Sequence, residues 1–342
     1  MVQGKAGHTG ILTGLRVERT ATEGAGYVRI RRPSNLTEQA NDPKGAADRD
    51  YGNTYRVLKG SYTQPFPSAH LTQDVTPNLK ARLSWSTSFG RPNMSNFIQT
   101  ETPNDMARTL TVSNPSLLPQ SAKNWDASLD YYFKPVGNLS LGWFHKRIKD
   151  YIVNGVEVGQ VGDGPNNGYD GEYVGYDELT SINAGTAVVK GWEFSFQQQL
   201  DFLPSFLRGL STNISYTLLE TRGDFGTGNT LRTDQVAGFR PRTGNFSLFW
   251  RHRAVSAQVL VNYHGHYLSA FNANNALMNL YQTSRTLVDV GIAYQVHPAV
   301  SLTCNVSNVF NEPQYFYRGF PDRIQRILIN GTTITVGVGG RF

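Results

Sequence analysis

The chain has one cysteine in 342 residues, so no internal disulfide can form and the redox state of its compartment cannot be read from it. Mean hydropathy is −0.39, and nowhere do roughly 18–20 apolar residues run together, which excludes membrane-spanning helices. Strands that are apolar only on alternate residues escape that exclusion. There is no basic run: the net charge of +6 is scattered along the chain, and no nucleic-acid partner is expected. No Gly-x-Ser-x-Gly, phosphate-loop or zinc-protease motif occurs, so neither an enzyme nor a cofactor is expected. Met1–Gly10 lacks the charged start, apolar core and cleavage site of a secretory leader.

Glycine (34), tyrosine (17) and phenylalanine (18) far outnumber methionine (4), which suits strands and turns better than helices. Period-two alternation recurs. Trp125, Ala127, Leu129, Tyr131 and Phe133 share one face of a candidate strand, with Asp126, Ser128 and Asp130 on the other. Ala81, Leu83, Trp85 and Phe89 oppose Arg82, Ser84, Ser86 and Ser88 in the same way. Val288, Val290, Ile292, Tyr294 and Val296 oppose Asp289, Gly291 and Gln295; Ile334, Val336, Val338 and Phe342 oppose Thr335, Gly337 and Arg341. Each segment has one oily and one wet surface.

A soluble sandwich would alternate in the same way, but the connections separate the two cases. Links near 134–138, 201–209, 253–254 and 297–299 are short, whereas 21–65, 90–123, 152–186, 221–241, 266–285 and 311–331 are long. Long and short links take turns, as in outer-membrane barrels with tight periplasmic turns and long outer loops. The expectation is an all-β, antiparallel transmembrane β-barrel wall of about twelve strands, starting near Ile11–Thr20 and ending at the periplasmic face with Phe342. Segment 55–74 fits least well, because Pro65 and Pro67 sit poorly inside a paired strand. Aromatic residues near strand ends, among them Trp143, Trp192 and Trp250, suit the headgroup zone. Arg82, Glu193, Asp289 and Arg341 are expected to face the lumen.

Several stretches resemble the C-terminal half of the TonB-dependent receptors. They are Phe66-Pro-Ser-Ala-His-Leu71, Leu79–Pro92, the Asn114-Pro-Ser-Leu-Leu-Pro-Gln run to Phe133, and Phe144-His-Lys-Arg-Ile-Lys-Asp-Tyr-Ile152. Lys190-Gly-Trp-Glu-Phe194, Phe202-Leu-Pro204, Asn213-Ile-Ser-Tyr-Thr217 and Asn305-Val-Ser-Asn-Val-Phe-Asn-Glu-Pro313 follow in family order. Gln120 and Asp130 stand where the family usually has Glu. The resemblance implies a 22-stranded barrel of the Gram-negative outer membrane, with a plug energised by the TonB complex, importing a siderophore, cobalamin or an oligosaccharide. Residues 1–342 would then be barrel only, with leader and plug upstream of Met1, and Phe342 the assembly signal.

Binding candidates are few. In the loop Gly162–Glu172 and just after it, Tyr169, Tyr173 and Tyr176 could stack on sugar rings. Pro165 falls where a calcium loop needs Asp or Asn. His264 and His266 are placed on one strand face, with no third metal ligand nearby in sequence, so no metal site is expected. The alternatives are a passive porin-like channel and a soluble all-β carbohydrate-binding protein. Under the first reading the partners are outer-membrane lipid, a small-molecule solute and the TonB complex.

Overall fold

In this computed structural model, residues 1–27, 40–52, 55–98, 100–134, 136–224, 232–233, 235–270, 272 and 275–340 are described. The chain opens with Val2–Ala6 (β1) and Thr9–Tyr27 (β2), passes the helix Pro43–Tyr51 (α1), and continues through Tyr55–Thr76 (β3) and Leu79–Gly90 (β4). Glu101–Asn104 (β5) and Thr109–Val112 (β6) precede Gln120–Phe133 (β7), Gly137–Gln160 (β8), Asp177–Gln199 (β9) and Leu210–Asp224 (β10). After Arg232–Thr233 (β11) come Arg242–His252 (β12), Val255–His264 (β13), Tyr267–Ala270 (β14), Leu280–Gln282 (β15), Arg285–His297 (β16) and Val300–Ser307 (β17). Gln314–Arg318 (β18), Ile324–Leu328 (β19) and Thr333–Gly340 (β20) follow.

The wall runs β1-β2-β3-β4-β7-β8-β9-β10-β12-β13-β16-β17-β20, each strand beside its neighbour along the chain, an antiparallel up-and-down meander. From β2 onward it has the twelve strands expected from the alternation; β1 is a short thirteenth that Val2–Ala6 did not announce. Among the described residues β1 and β20 do not pair, so the wall is an open arc of a barrel.

Cross-strand register puts oily residues beside oily ones. Ile11, Leu71, Leu83, Ala127, Trp143, Trp192 and Leu218 form one row across β2, β3, β4 and β7 to β10. Thr212, Leu248, Val259, Val290, Val306 and Ile334 form another, from β10 to β20. None of these side chains is buried, and others on the same face, Ile292 (52% exposed) and Val336 (75%), stand well clear of the protein. Among the described residues no second sheet covers the oily face. In water that would leave a large apolar surface uncovered; in a bilayer, hydrocarbon covers it.

The opposite face is polar and internally paired. The Arg82 guanidinium meets the Asp130 carboxylate, which also accepts from Ser140 Oγ at 2.8 Å. Asp289 accepts the Asn308 N–H at 2.7 Å. Glu193 is exposed on its strand. Nearer the long-loop end this inner face is apolar, and Val236, from the loop before β12, packs there on Ile148, Ala187 and Val189.

Three expectations need correction. First, much of the long links at 21–65 and 152–186 is strand: β8 has 24 residues and β9 has 23, against roughly 9–11 needed to cross a bilayer. The surplus projects past the membrane, where no lipid faces the strand, so its outer side carries no continuous oily period. Second, Pro65 and Pro67 lie inside β3, opposite Val17 and Leu15. The Thr87 hydroxyl donates to the Pro67 carbonyl, so the missing N–H groups face β4, whose ladder with β3 stops at Ser68–Ser86. Third, Phe89 leaves the oily set: its ring stacks on buried Phe66 (4.9 Å) and meets Tyr62 edge-on. Arg341 and Phe342 lie outside the described residues.

Candidate binding face at the long-loop end

The long connections leave the same end of the wall, and among the described residues they build two separate structures. The first gathers around 161–176. Asn167 holds that loop: its Nδ2 donates to the carbonyls of Gly162 (3.0 Å) and Glu172 (2.9 Å). Its Oδ1 accepts the N–H groups of Tyr169 (2.8 Å) and Gly171 (3.0 Å). Tyr169, 8% exposed, forms a small core with Leu110 and Val161. Tyr173 packs edge-on against Tyr169, at 5.7 Å, and at a tilt against Tyr176, at 5.8 Å. The hairpin β5–β6 closes the cluster, with β6 adding in parallel to β9 from Thr109–Asp177 to Val112–Thr180.

The three tyrosines singled out from sequence are therefore brought together, with different surfaces. Tyr169 faces inward, whereas Tyr173 and Tyr176 keep part of their rings accessible. The Tyr176 hydroxyl donates to Asp105 at 3.0 Å; that bond, with some desolvation, raises the phenol above its ordinary pKa. Arg108 lies over the same ring at 5.7 Å and donates to the Val174 carbonyl at 3.0 Å. Asn167 was not anticipated from the sequence, although Asn166-Asn167-Gly168 between acidic and glycine residues is the kind of segment that builds side-chain turns.

The second set is a separate sheet, β14-β15-β18-β19, made from the connections after β13 and after β17. Two loops 30 or more residues apart in sequence share one ladder, Leu280–Arg318 to Gln282–Phe316. The His266 ring stacks on Tyr281 (5.3 Å) and Tyr317 (5.8 Å), and its Nε2 lies 2.7 Å from the Tyr317 hydroxyl. Burial lowers the His266 pKa and raises that of Tyr317. Gly319 (φ +66°) closes the turn after β18, where any Cβ would lie 2.5 Å from the Leu277 carbonyl oxygen.

His264 and His266 do not share a strand face. β13 ends at His264, whose Nδ1 sits 3.4 Å from Arg240, while His266 belongs to the Tyr281–Tyr317 stack. Among the described residues no three His, Cys, Asp or Glu side chains converge. Cations gather instead: Arg240 lies over Tyr267 at 5.0 Å, Arg326 over Phe316 at 4.3 Å, Arg285 stands opposite His264, and Arg318 donates to the Met278 carbonyl. The arrangement can bind and orient an anion or a flat ring.

An open meander with an oily outer face and a polar inner one leads to a specific comparison. The family described as TonB dependent receptor-like, beta-barrel, matches residues 6–309. The chain belongs to the TonB-dependent receptors. A curated relative, the probable TonB-dependent siderophore receptor PirA of Acinetobacter baumannii, is 24% identical over 89% of this chain and 37% of its own length. Hemoglobin-binding protein A of Haemophilus influenzae is 26% identical over 45% of the chain and 15% of its own. The ferric-catecholate import receptor Fiu of E. coli K12 matches in structure with a TM-score of 0.66 at 13% identity, over 98% of this chain and 43% of that one. The copper transporter OprC gives 0.62 at 16% identity, over 98% and 45%. At these identities the solved structures speak for the fold. The chain spans less than half the length of the relatives it matches. TonB-dependent receptors are transport receptors of the Gram-negative outer membrane, not enzymes.

Proposed function

We propose that this chain is the C-terminal part of an outer-membrane receptor that imports a scarce solute with energy delivered by the TonB complex. Residues 1–342 would be wall only. The plug that contacts TonB, the leader and the remaining strands of a 22-stranded barrel would be encoded upstream of Met1. The observation that carries this reading is the uncovered oily face running through the wall strands from β2 to β20, opposite a hydrogen-bonded polar one.

The solute is proposed to be a siderophore, cobalamin or an oligosaccharide, taken unchanged, with no nucleic acid involved. Arg240, Arg285, Arg318 and Arg326 at the long-loop end favour the anionic member of that set, a ferric chelate. Tyr173 and Tyr176 remain candidate contacts for its rings, and Phe342 the candidate assembly signal.

The test is uptake by intact cells of labelled ferric chelates, cobalamin and oligosaccharides, with the gene present or deleted and with or without a protonophore. Uptake of one solute that needs both the gene and the proton gradient is the expected result. Gene-dependent uptake indifferent to the protonophore would establish a passive channel instead.

A further inference from the structure

On the lipid-facing side of β7 to β10, the register sorts residues into three successive rows. The first, Ala127, Trp143, Trp192 and Leu218, is apolar. The next towards the long loops, Trp125, His145, Lys190 and Glu220, is mixed, and Lys190 pairs with Glu220 at 2.9 Å. The third is Lys123, Arg147, Val188 and Arg222, with Lys149 two residues beyond Arg147 on the same strand. Along a strand, rows two residues apart are about 6.7 Å from each other. The face therefore passes from hydrocarbon-compatible through amphipathic to cationic within about 13 Å, the sequence of environments met on leaving the bilayer core for the headgroups.

We infer that Lys123, Arg147, Lys149 and Arg222 form a binding site for the phosphate of an outer-leaflet lipid headgroup. All four are exposed, and none has an acidic partner among the described residues. Lys123 and Arg147 stand directly opposite each other across β7 and β8. Like charges in that relation repel, and an anion between them reverses the sign of the interaction. An open hollow of about 520 Å³ beside the row is lined by His145, Val188, Lys190, Glu220 and Arg222, among others. The four tryptophans Trp85, Trp125, Trp143 and Trp192 lie on the membrane side of the cations, where indole rings fit the interface that holds such headgroups. The site rests on the membrane-spanning reading of the wall but not on any solute.

The experiment uses the native receptor extracted from its outer membrane in a neutral detergent. Its binding to lipid A carrying two phosphates is measured by native mass spectrometry and by tryptophan fluorescence. Dephosphorylated lipid A and inorganic phosphate are parallel ligands. The variant Lys123→Gln/Arg147→Gln/Lys149→Gln/Arg222→Gln is expected to bind phosphorylated lipid A at least about tenfold more weakly. Unaltered receptor should lose affinity on removal of the lipid's phosphates or on addition of salt. A control, Lys5→Gln/Lys80→Gln/Lys134→Gln/Arg253→Gln, removes the same charge at the short-turn end and should bind as the unaltered protein does. Equal loss in both variants, or unchanged binding in the first, would overturn the site. Equal affinity for inorganic phosphate alone would overturn the lipid as its source. Heat-modifiable gel mobility verifies that each variant is folded. A receptor that stayed dispersed without detergent would sink the membrane reading itself, an outcome separate from these.

Discussion

Val290 and Asp289 are neighbours in β16 whose side chains meet different solvents. Val290 stands in a row with Val259 and Val306 on the oily face, whereas Asp289 accepts the Asn308 N–H from the inner one. Val290→Arg should destabilise the folded barrel by about 2–4 kcal/mol if the site is near the bilayer midplane. Asp289→Asn keeps an acceptor oxygen in place and should be mild. Denaturant titration in micelles reads both, and equal effects would contradict the facing. At Arg82 and Asp130, removing the cation leaves the carboxylate to the Ser128 and Ser140 hydroxyls. Arg82→Met should cost about 1 kcal/mol, since the guanidinium is part-exposed, and adding Asp130→Asn should give back part of that loss, a coupling that independent surface sites would not show. The facings of Arg82 and Asp289 were legible in period-two alternation. Their partners were not, because Asp130 lies 48 residues from Arg82 and pairing needs register.

Among elements, the loop 161–176 and the sheet β14-β15-β18-β19 carry their own stabilising contacts and can be loosened separately from the wall. Asn167→Ala removes four hydrogen bonds to the loop backbone. Amide exchange should accelerate across 161–176 while β7 and β12 keep their protection; unchanged exchange in the loop would remove Asn167 from that role. The small sheet should be sensitive to acid. Burial holds the folded His266 pKa below the ordinary 6.5, so as pH falls through that value the unfolded state takes up the proton first and stability drops. Protection factors in β14 and β18, measured exchange corrected for the intrinsic pH dependence, should therefore fall below about pH 6.5 in the unaltered protein and not in His266→Gln. A flat pH response in both would exclude the stack as the cause. The tyrosine cluster could be suspected from the spacing of Tyr169, Tyr173 and Tyr176, but the His266–Tyr281–Tyr317 stack could not, since its members come from three separate segments.

On the scale of the whole molecule, the edges decide behaviour. Among the described residues β1 and β20 each present an unpaired backbone edge, and hydrocarbon offers no hydrogen bonds to satisfy it. If residues 1–342 are wall only, refolding this chain alone in micelles should give oligomers or aggregates on size exclusion. Adding the upstream segment in trans should recover a single species. A monomeric, protease-resistant species from the chain alone would refute that division of the protein. The hairpins β2–β3 and β8–β9 should shed protease-accessible ends on the long-loop side without loss of the membrane-embedded wall, because strands of 22 and 24 residues outrun the bilayer.

The sequence alone determined the two-faced strands, their number from Ile11 onward, the alternation of short and long connections and the family likeness. Each is a local property: period-two patterning and turn chemistry act within about ten residues and need no partner. Tertiary structure decided what local patterning leaves free. It set the register that aligns Lys123 with Arg147 and the ladder that joins the loops after β13 and β17. It also decided that Phe89 turns to Phe66 and that strands continue beyond the lipid. Those outcomes depend on contacts between distant segments, and where no lipid faces a strand its sequence has no regular oily period to betray it.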